Sequence, residues 1–371
     1  MRERKTEKNA GLGHADAPTE AIDRRAALSR LAVAALAPLA LAPVDMTLAA
    51  TALPAIPAAP PGPSRRPVDT STHAEADAAL ARFAALPATA SCLVAVGVPG
   101  APWQLAHDPD RHLFIGSAIK TFILAQYLRD VEAGRLSEDA LVLVDDSVRT
   151  PGSPVLAGMS GSLTARSALE AMITHSDNIG TDIALAAATP SRVRALIAEA
   201  GLKQTQIPDS TRRFFSWIAG AAKGVDIGWA GMQRIEQGWR PGTPRQPLND
   251  EQTLASTCGE MVRWYREALA GAYFTEADTL REFKRIQAMA DALSQVVPDG
   301  LAAYGKGGSI DWEQFHCFCL PGQMIVRGVP VTFCFTINWR GPDEGVAAMF
   351  GAYRAAVAGV LAAVAARIGA G

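Results

Sequence analysis

Charge is scarce in this sequence. Only 19% of its 371 residues are charged, the formal net charge is −2 at pH 7, and no basic stripe is interleaved with aromatics. Nucleic-acid binding needs clustered Lys and Arg to neutralise phosphates, so that class of partner is excluded. Cysteine is limited to Cys92, Cys258, Cys317, Cys319 and Cys334, an odd set that cannot all pair. Their apolar neighbours suggest buried thiols, and the rival arrangement is one bridge between neighbouring strands, Cys92 to Cys334. No Cys/His spacing suits tetrahedral zinc, so neither metal nor cofactor is expected. No cysteine precedes Cys92, which argues against a lipoprotein anchor, and no internal repeat is visible. What is plentiful is apolar side chain, 49% of the chain. That is ample for a large core, in one big domain or two interlocked ones.

The first residues differ from the rest. Arg2, Arg4, Lys5 and Lys8 give a basic start, and Asp23-Arg24-Arg25 leads into an Ala/Leu run over 31–44. The run is too short and too proline-broken to span a membrane. Together these predict an export signal of twin-arginine type over 1–52, with small residues around Thr47 to Ala52 offering cleavage sites. Residues 53–72 are rich in Pro and Ala and predict an extended linker, leaving 73–371 as the folded part. The expected location is periplasmic or extracellular, with no membrane span after signal removal, and a monomer.

Further on, Ala76 to Leu86 reads as a helix, Cys92 to Val98 and Trp103 to His107 as strands, and Asp139 to Leu163 as mostly loop. Leu163 to His175 and Ile179 to Ala188 are helical, and Thr189-Pro190-Ser191 starts another helix that stops at Gly201. Residues 207–250 mix polar turns with Phe214, Phe215, Trp217, Trp229 and Trp239. They fit a lid or substrate wall equally with a satellite core. Helical patterns return from Glu251 to Val297. Strands follow at 301–310, 314–320, 324–327 and 329–339, then a closing Ala/Val-rich helix over 345–368.

The chemistry centres on Gly116-Ser117-Ala118-Ile119-Lys120, at the head of an apolar helical run. Lys120 falls almost one turn after Ser117 on the same face, so an amine can serve the hydroxyl as base without any histidine. A helix N-terminus adds free N–H groups suited to an oxyanion. Alone this spacing is common, and an N-cap serine beside a solvated lysine explains it as well. Two later stretches agree with it: Ser176-Asp177-Asn178 between helical patterns, and Lys306-Gly307-Gly308-Ser309 in a strand.

In that order the three motifs resemble those of class A serine β-lactamases and penicillin-binding proteins, over about 76–368. The resemblance implies an α+β fold. A five-stranded antiparallel sheet with flanking helices would form one lobe (about 73–128 and 298–371), beside an all-helical lobe (about 129–297). It implies a small-molecule substrate, a β-lactam or a peptidoglycan-like amide or ester. Ser117 would be the acylated nucleophile, Lys120 its base and Ser176 the proton shuttle to the leaving nitrogen. Asn178 would hold the substrate amide and Lys120, while Asp177 would orient its loop. The N–H groups of Ser117 and Ser309 would form the oxyanion hole, with Gly308 allowing close approach. Lys306 would attract a substrate carboxylate.

The departures are as informative. The hydroxyl residue usual after the lysine is Gly307, with Ser309 as partial substitute. The usual arginine is missing; His316 stands near its strand position, and Arg327 or Arg340 could replace it. The family's loop glutamate and its asparagine partner are absent from 206–217, where Asp209 is the only carboxylate. Intact acylation with slow or differently assisted hydrolysis is the expectation. Three functions stay open: a β-lactamase-type hydrolase, a penicillin-binding, peptidase-like or esterase enzyme, and a non-catalytic binding protein.

Overall fold

The computed structural model describes residues 70–370; the expected export signal and nearly all of the linker lie outside them. Helix α1 (Thr70–Ala84) starts six residues before the expected helix and is followed by β1 (Thr89–Val96) and β2 (Trp103–His107). The closing elements are β7 (Ala302–Gly305), β8 (Gly308–Trp312), β9 (Phe315–Val326), β10 (Val329–Arg340) and a C-terminal helix, Val346–Ala370. They form one antiparallel sheet in the order β2-β1-β10-β9-β7, with β8 also on β9. The sheet thus has five positions, as the resemblance implied, and the last is shared by two short strands.

β9 and β10 are joined by Arg327 and Gly328, both at positive φ (49° and 81°), as a two-residue turn matched to strand twist requires. The pattern of residues suggested a break in β9 at Pro321-Gly322, yet β9 runs through them. Pro321 lacks an N–H, and its neighbour is interrupted at the same level: Gly305 pairs with Gly322 and Gly308 with Cys319. The expected single strand over 301–310 is therefore two strands separated at Lys306 and Gly307. A proline in one strand and a gap in its partner leave no ladder donor missing. That gap sets Lys306 at the site.

Between these sheet strands lie β3 (Leu113–Phe114), a 3-10 turn (Gly116–Ile119), α2 (Lys120–Glu132), β4 (Leu141–Val144), β5 (Gly161–Thr164), α3 (Ala165–Thr174) and α4 (Asn178–Ala188). Then come α5 (Pro190–Glu199), α6 (Thr211–Ile218), α7 (Gly228–Glu236), β6 (Ala255–Ser256), α8 (Cys258–Leu269) and α9 (Ala277–Gln287), which makes the C-terminal helix α10. The stretch expected to be mostly loop contains the β4–β5 hairpin, whose Leu141 and Leu143 are exposed. The aromatic stretch 207–250 folds into α6 and α7. Ser210 caps α6, and Phe214, Phe215 and Ile218 go into the main core. Trp217, Trp229 and Trp239 pack half-buried against that core.

One face of the sheet is covered by α1 and α10, where Phe83 meets Phe335 edge-on at 5.2 Å between ring centroids. The other face packs on α8. It carries Cys317, Cys319 and Cys334, whereas Cys92 lies opposite Phe335 on the α1–α10 face; Cys258 of α8 donates to Ser91 O and Cys317 to Phe114 O. All five cysteines are free and buried, so the alternative Cys92–Cys334 bridge does not form. Helix α10 is long and apolar enough to cross a membrane by length and composition. Its Tyr353, Val357, Val360, Leu361 and Val364 are buried in the core.

Candidate active site

Ser117 lies in the 3-10 turn that leads into α2, half-buried, and Lys120 begins the α-helix proper. In a 3-10 turn residues three apart eclipse one another, so the turn stacks the two more directly than the α-helical spacing suggested. The turn is pinned from outside by β8. A Cβ on Gly308 would come 2.0 Å from Ile115 O and 2.9 Å from Ser117 N, and a Cβ on Gly116 would come 2.9 Å from Ser309 N. Glycine at 308 and 116 is what lets the backbones of Ser117 and Ser309 come together.

Lys120 is 1% exposed. Its Nζ donates to Ser176 O at 2.7 Å, Ser176 Oγ at 3.2 Å and Asn178 Oδ1 at 2.8 Å. Burial first, and then the charge of Lys306, push its pKa well below the ordinary lysine value, against the opposing pull of Asp177 and Asp182. A lysine so placed releases its proton far more readily than an exposed one. Ser176 sits at φ 60°, a left-handed conformation that a non-glycine residue adopts at a cost.

That conformation is held by its neighbour. Asp177 Oδ1 caps α4 through Gly180 N at 2.9 Å, and Oδ2 accepts from Val155 N (3.0 Å) and Leu156 N (2.9 Å). Asn178 donates through Nδ2 to Pro151 O at 2.7 Å, leaving Oδ1 turned to Lys120. The rim 151–156 is thus tied to the Ser176 loop from both sides.

Lys306 is 2% exposed and donates to Gly307 O at 2.7 Å. Burial takes its pKa down to about 8, opposed by the carboxylate of Asp291. Gly307 has no room for a side chain, because a Cβ there would meet Ala292 Cβ at 2.8 Å. Ser309 is exposed beside it.

The remaining candidates are placed elsewhere. Asp209 accepts from Arg194 (2.6 Å) and Gln252 (2.9 Å). Burial raises its pKa, but those bonds and the arginine charges outweigh it and hold the carboxyl below its usual range. It lines a groove with Ile197, Leu202 and Thr253 that includes none of Ser117, Lys120 or Ser176. His316 is fully buried, bonded to Asp311 (2.7 Å) and Gly341 O (2.8 Å) and stacked on Trp339. It faces away from open solvent and cannot stand in for an arginine. Arg327 lies in the β9–β10 turn, eight residues along the strand from Cys319, about 26 Å away at strand spacing. Arg340 bonds to Gln246.

Two residues were missed from sequence. Asp182 accepts from Thr150 Oγ1 (2.9 Å), Thr211 N (2.6 Å) and Arg212 N (3.1 Å), fastening the start of α6 to α4. Its only sequence signal is its place four residues after Asn178, one turn along the same face. Ala292 gave no signal at all. Among the described residues, no group of three or more His, Cys, Asp or Glu could hold a metal ion.

The beta-lactamase enzyme family model matches residues 85–316. A comparison with curated proteins finds no match. Among solved structures, a beta-lactamase from Sphaerobacter thermophilus is 17% identical. It covers 78% of this chain and 95% of its own, with a TM-score of 0.60. A beta lactamase from Xanthomonas campestris pv. campestris is 16% identical over 79% of this chain and 98% of its own, TM-score 0.58. The structure of PBP-A is 15% identical over 81% and 98%, TM-score 0.59. At these identities the likeness is one of fold.

Proposed function

The chain belongs to the beta-lactamase enzyme family, and on that premise we propose that it is an exported serine hydrolase acylated at Ser117 by a β-lactam or related amide. The observation that carries the reading is the buried Lys120 amine, held between Ser176 and Asn178 one 3-10 turn from Ser117. Neutral Lys120 takes the Ser117 hydroxyl proton as Oγ adds to the substrate carbonyl. The oxyanion is met by the Ser117 and Ser309 amides. Losing one such donor typically costs on the order of 10² to 10³ in rate. The C–N bond then breaks, and Ser176, refilled from Lys120, delivers a proton to the leaving nitrogen. Water hydrolyses the acyl-enzyme to free Ser117.

One observation favours a penicillin-binding or peptidase-like enzyme with slow hydrolysis. Asp209, the only carboxylate in the loop where the family carries its glutamate, is committed to Arg194 and Gln252. The test is intact mass after adding penicillin, with Ser117→Ala as control. A Ser117-dependent adduct is expected, and Asp209→Asn should leave its decay unchanged. Loss of turnover in that variant would make Asp209 the deacylating base after all. Export over residues 1–52 is part of the proposal, and N-terminal sequencing of secreted protein should start near 47–53.

A further inference from the structure

Exposed apolar side chains are not spread evenly over this molecule. Among the described residues, four of the five large ones, Leu141, Leu143, Val155 and Met159, fall between 141 and 159; Val225 is the fifth. Leu141 and Leu143 are the most exposed, at 74% and 54%, on the outer face of the β4–β5 hairpin. Val142 and Val144 turn inward, to a small core with Leu156, Leu163 and Ile179. β4 is also an edge. It pairs with β5, and among the described residues no hydrogen bond from another element reaches the backbone of 141–144. The N–H and C=O groups that point away from β5 are open to a further strand. A lysine or proline, the usual guard of such an edge, is missing from Leu-Val-Leu-Val.

Charge marks the two ends of the strand. Asp139 precedes it and Asp146 follows it, both with well-exposed side chains. The nearby arginines have other partners. Arg149 donates to Ala157 O, Met159 O and Ser160 Oγ as well as to Asp146. Arg166 is shared among Glu138, Asp139 and Glu282. An apolar edge with an acidic residue at each end does not suit a second copy. Antiparallel pairing of β4 with itself would set Asp139 of each copy across from Asp146 of the other, and like charges so placed repel. Nor does it suit lipid, whose tails offer no N–H or C=O to the open backbone.

We propose that the outer edge of β4 docks an extended segment of another protein, one with two apolar side chains two residues apart and Lys or Arg at both ends. Main-chain hydrogen bonds to β4 supply affinity, Leu141 and Leu143 take the apolar side chains, and Asp139 and Asp146 take the charges. The loop between β4 and β5 includes the rim of the site: Pro151 O holds Asn178, and the Val155 and Leu156 amides hold Asp177. A docked segment therefore adjoins the hairpin that carries this rim. The inference does not depend on the acyl-enzyme reading.

The probe is the fluorescently labelled peptide Arg-Lys-Thr-Val-Thr-Val-Thr-Lys-Arg, added to the full chain and followed by anisotropy and by amide exchange at 141–144. Saturable binding below about 1 mM is expected, with slower exchange in β4. Leu141→Thr combined with Leu143→Thr should weaken it about tenfold, while the melting temperature and penicillin adduct formation stay those of the parent. Acidic residues in place of the basic ends of the peptide should weaken binding by about five- to thirtyfold at low salt, less as salt is raised. A version N-methylated along its backbone keeps every side chain and should not bind. No saturable binding, or binding that these changes leave alone, overturns the inference. Self-association without peptide binding, lost in the leucine variant, would make the occupant a second copy and overturn it too. Uptake by phosphatidylcholine vesicles with the same dependence would do so in favour of lipid.

Discussion

A buried lysine is a liability that chemistry can justify, and Lys306 illustrates it. In the unfolded chain a lysine keeps its proton to about pH 10.4, whereas folded Lys306 gives it up near 8. Between those values the unfolded state binds more protons, so stability rises with pH from about 8 to 10.5 and carries the full penalty below 8. At neutral pH that penalty is on the order of 3 kcal/mol for Lys306 alone. Lys306→Met, which keeps the volume, should therefore raise the melting temperature at pH 7 while slowing acylation. A lower melting temperature would mean that the cation is stabilised by something this account omits. Asp177 is the opposite case, a buried carboxylate with three backbone donors. Asp177→Ala orphans all three and should cost about 3 to 5 kcal/mol in chemical denaturation. At this scale the sequence is legible where partners are near: Ser117 with Lys120, and Ser176 with Asn178. Asp182 and Ala292 were invisible because what they touch lies about 30 or 15 residues away, and no local pattern encodes it.

Elements meet at the site through glycines. Gly307→Ala collides with a side chain, Ala292 Cβ, while Gly308→Ala collides with backbone at Ile115 and Ser117. Gly307→Ala should cost about 1 to 3 kcal/mol and be rescued by Ala292→Gly. Gly308→Ala should abolish acylation and resist rescue by that change. Thermal melts and adduct formation across the four variants check both halves. A second junction joins α9 to the segment ahead of α3. There burial, then the Glu282 carboxyl beside it, push Glu138 up to about 7, outweighing Arg166 and Arg285. Glu282 is held below its usual range, chiefly by Arg285. A carboxyl raised in the folded state weakens it as pH climbs from about 4.5 to 7. Glu138→Gln should remove that loss, so its melting temperature gains on the parent's as pH rises through this window. Periodicity read the long helices and the outer strands well. It missed the β4–β5 hairpin, whose exposed Leu141 and Leu143 break the alternation. It also split β9, since Pro321-Gly322 ordinarily ends a strand and only the interrupted partner explains its passage.

At the scale of the molecule, the main core contains residues from α1 to α10, including Phe83, Phe122, Trp264 and Phe335. The five thiols belong to that interior: burial drives Cys92, Cys317 and Cys334 well above the usual thiol range. They should resist a thiol reagent in the folded enzyme and all react on denaturation; rapid labelling of folded protein would contradict the packing described. The order of elements, and with it the fold, was legible because three motifs and the flanking strands fall in sequence along one chain. The fate of the acyl group was not, because it depends on what surrounds Asp209, and Arg194 and Gln252 lie 15 and 43 residues from it. The central claim is tested most directly by following intact mass from minutes to hours after penicillin is added, with Ser117→Ala in parallel. The account predicts a single acyl adduct that forms faster than it decays and is absent from Ser117→Ala. No adduct with any acyl donor, or the same adduct in Ser117→Ala, would contradict it.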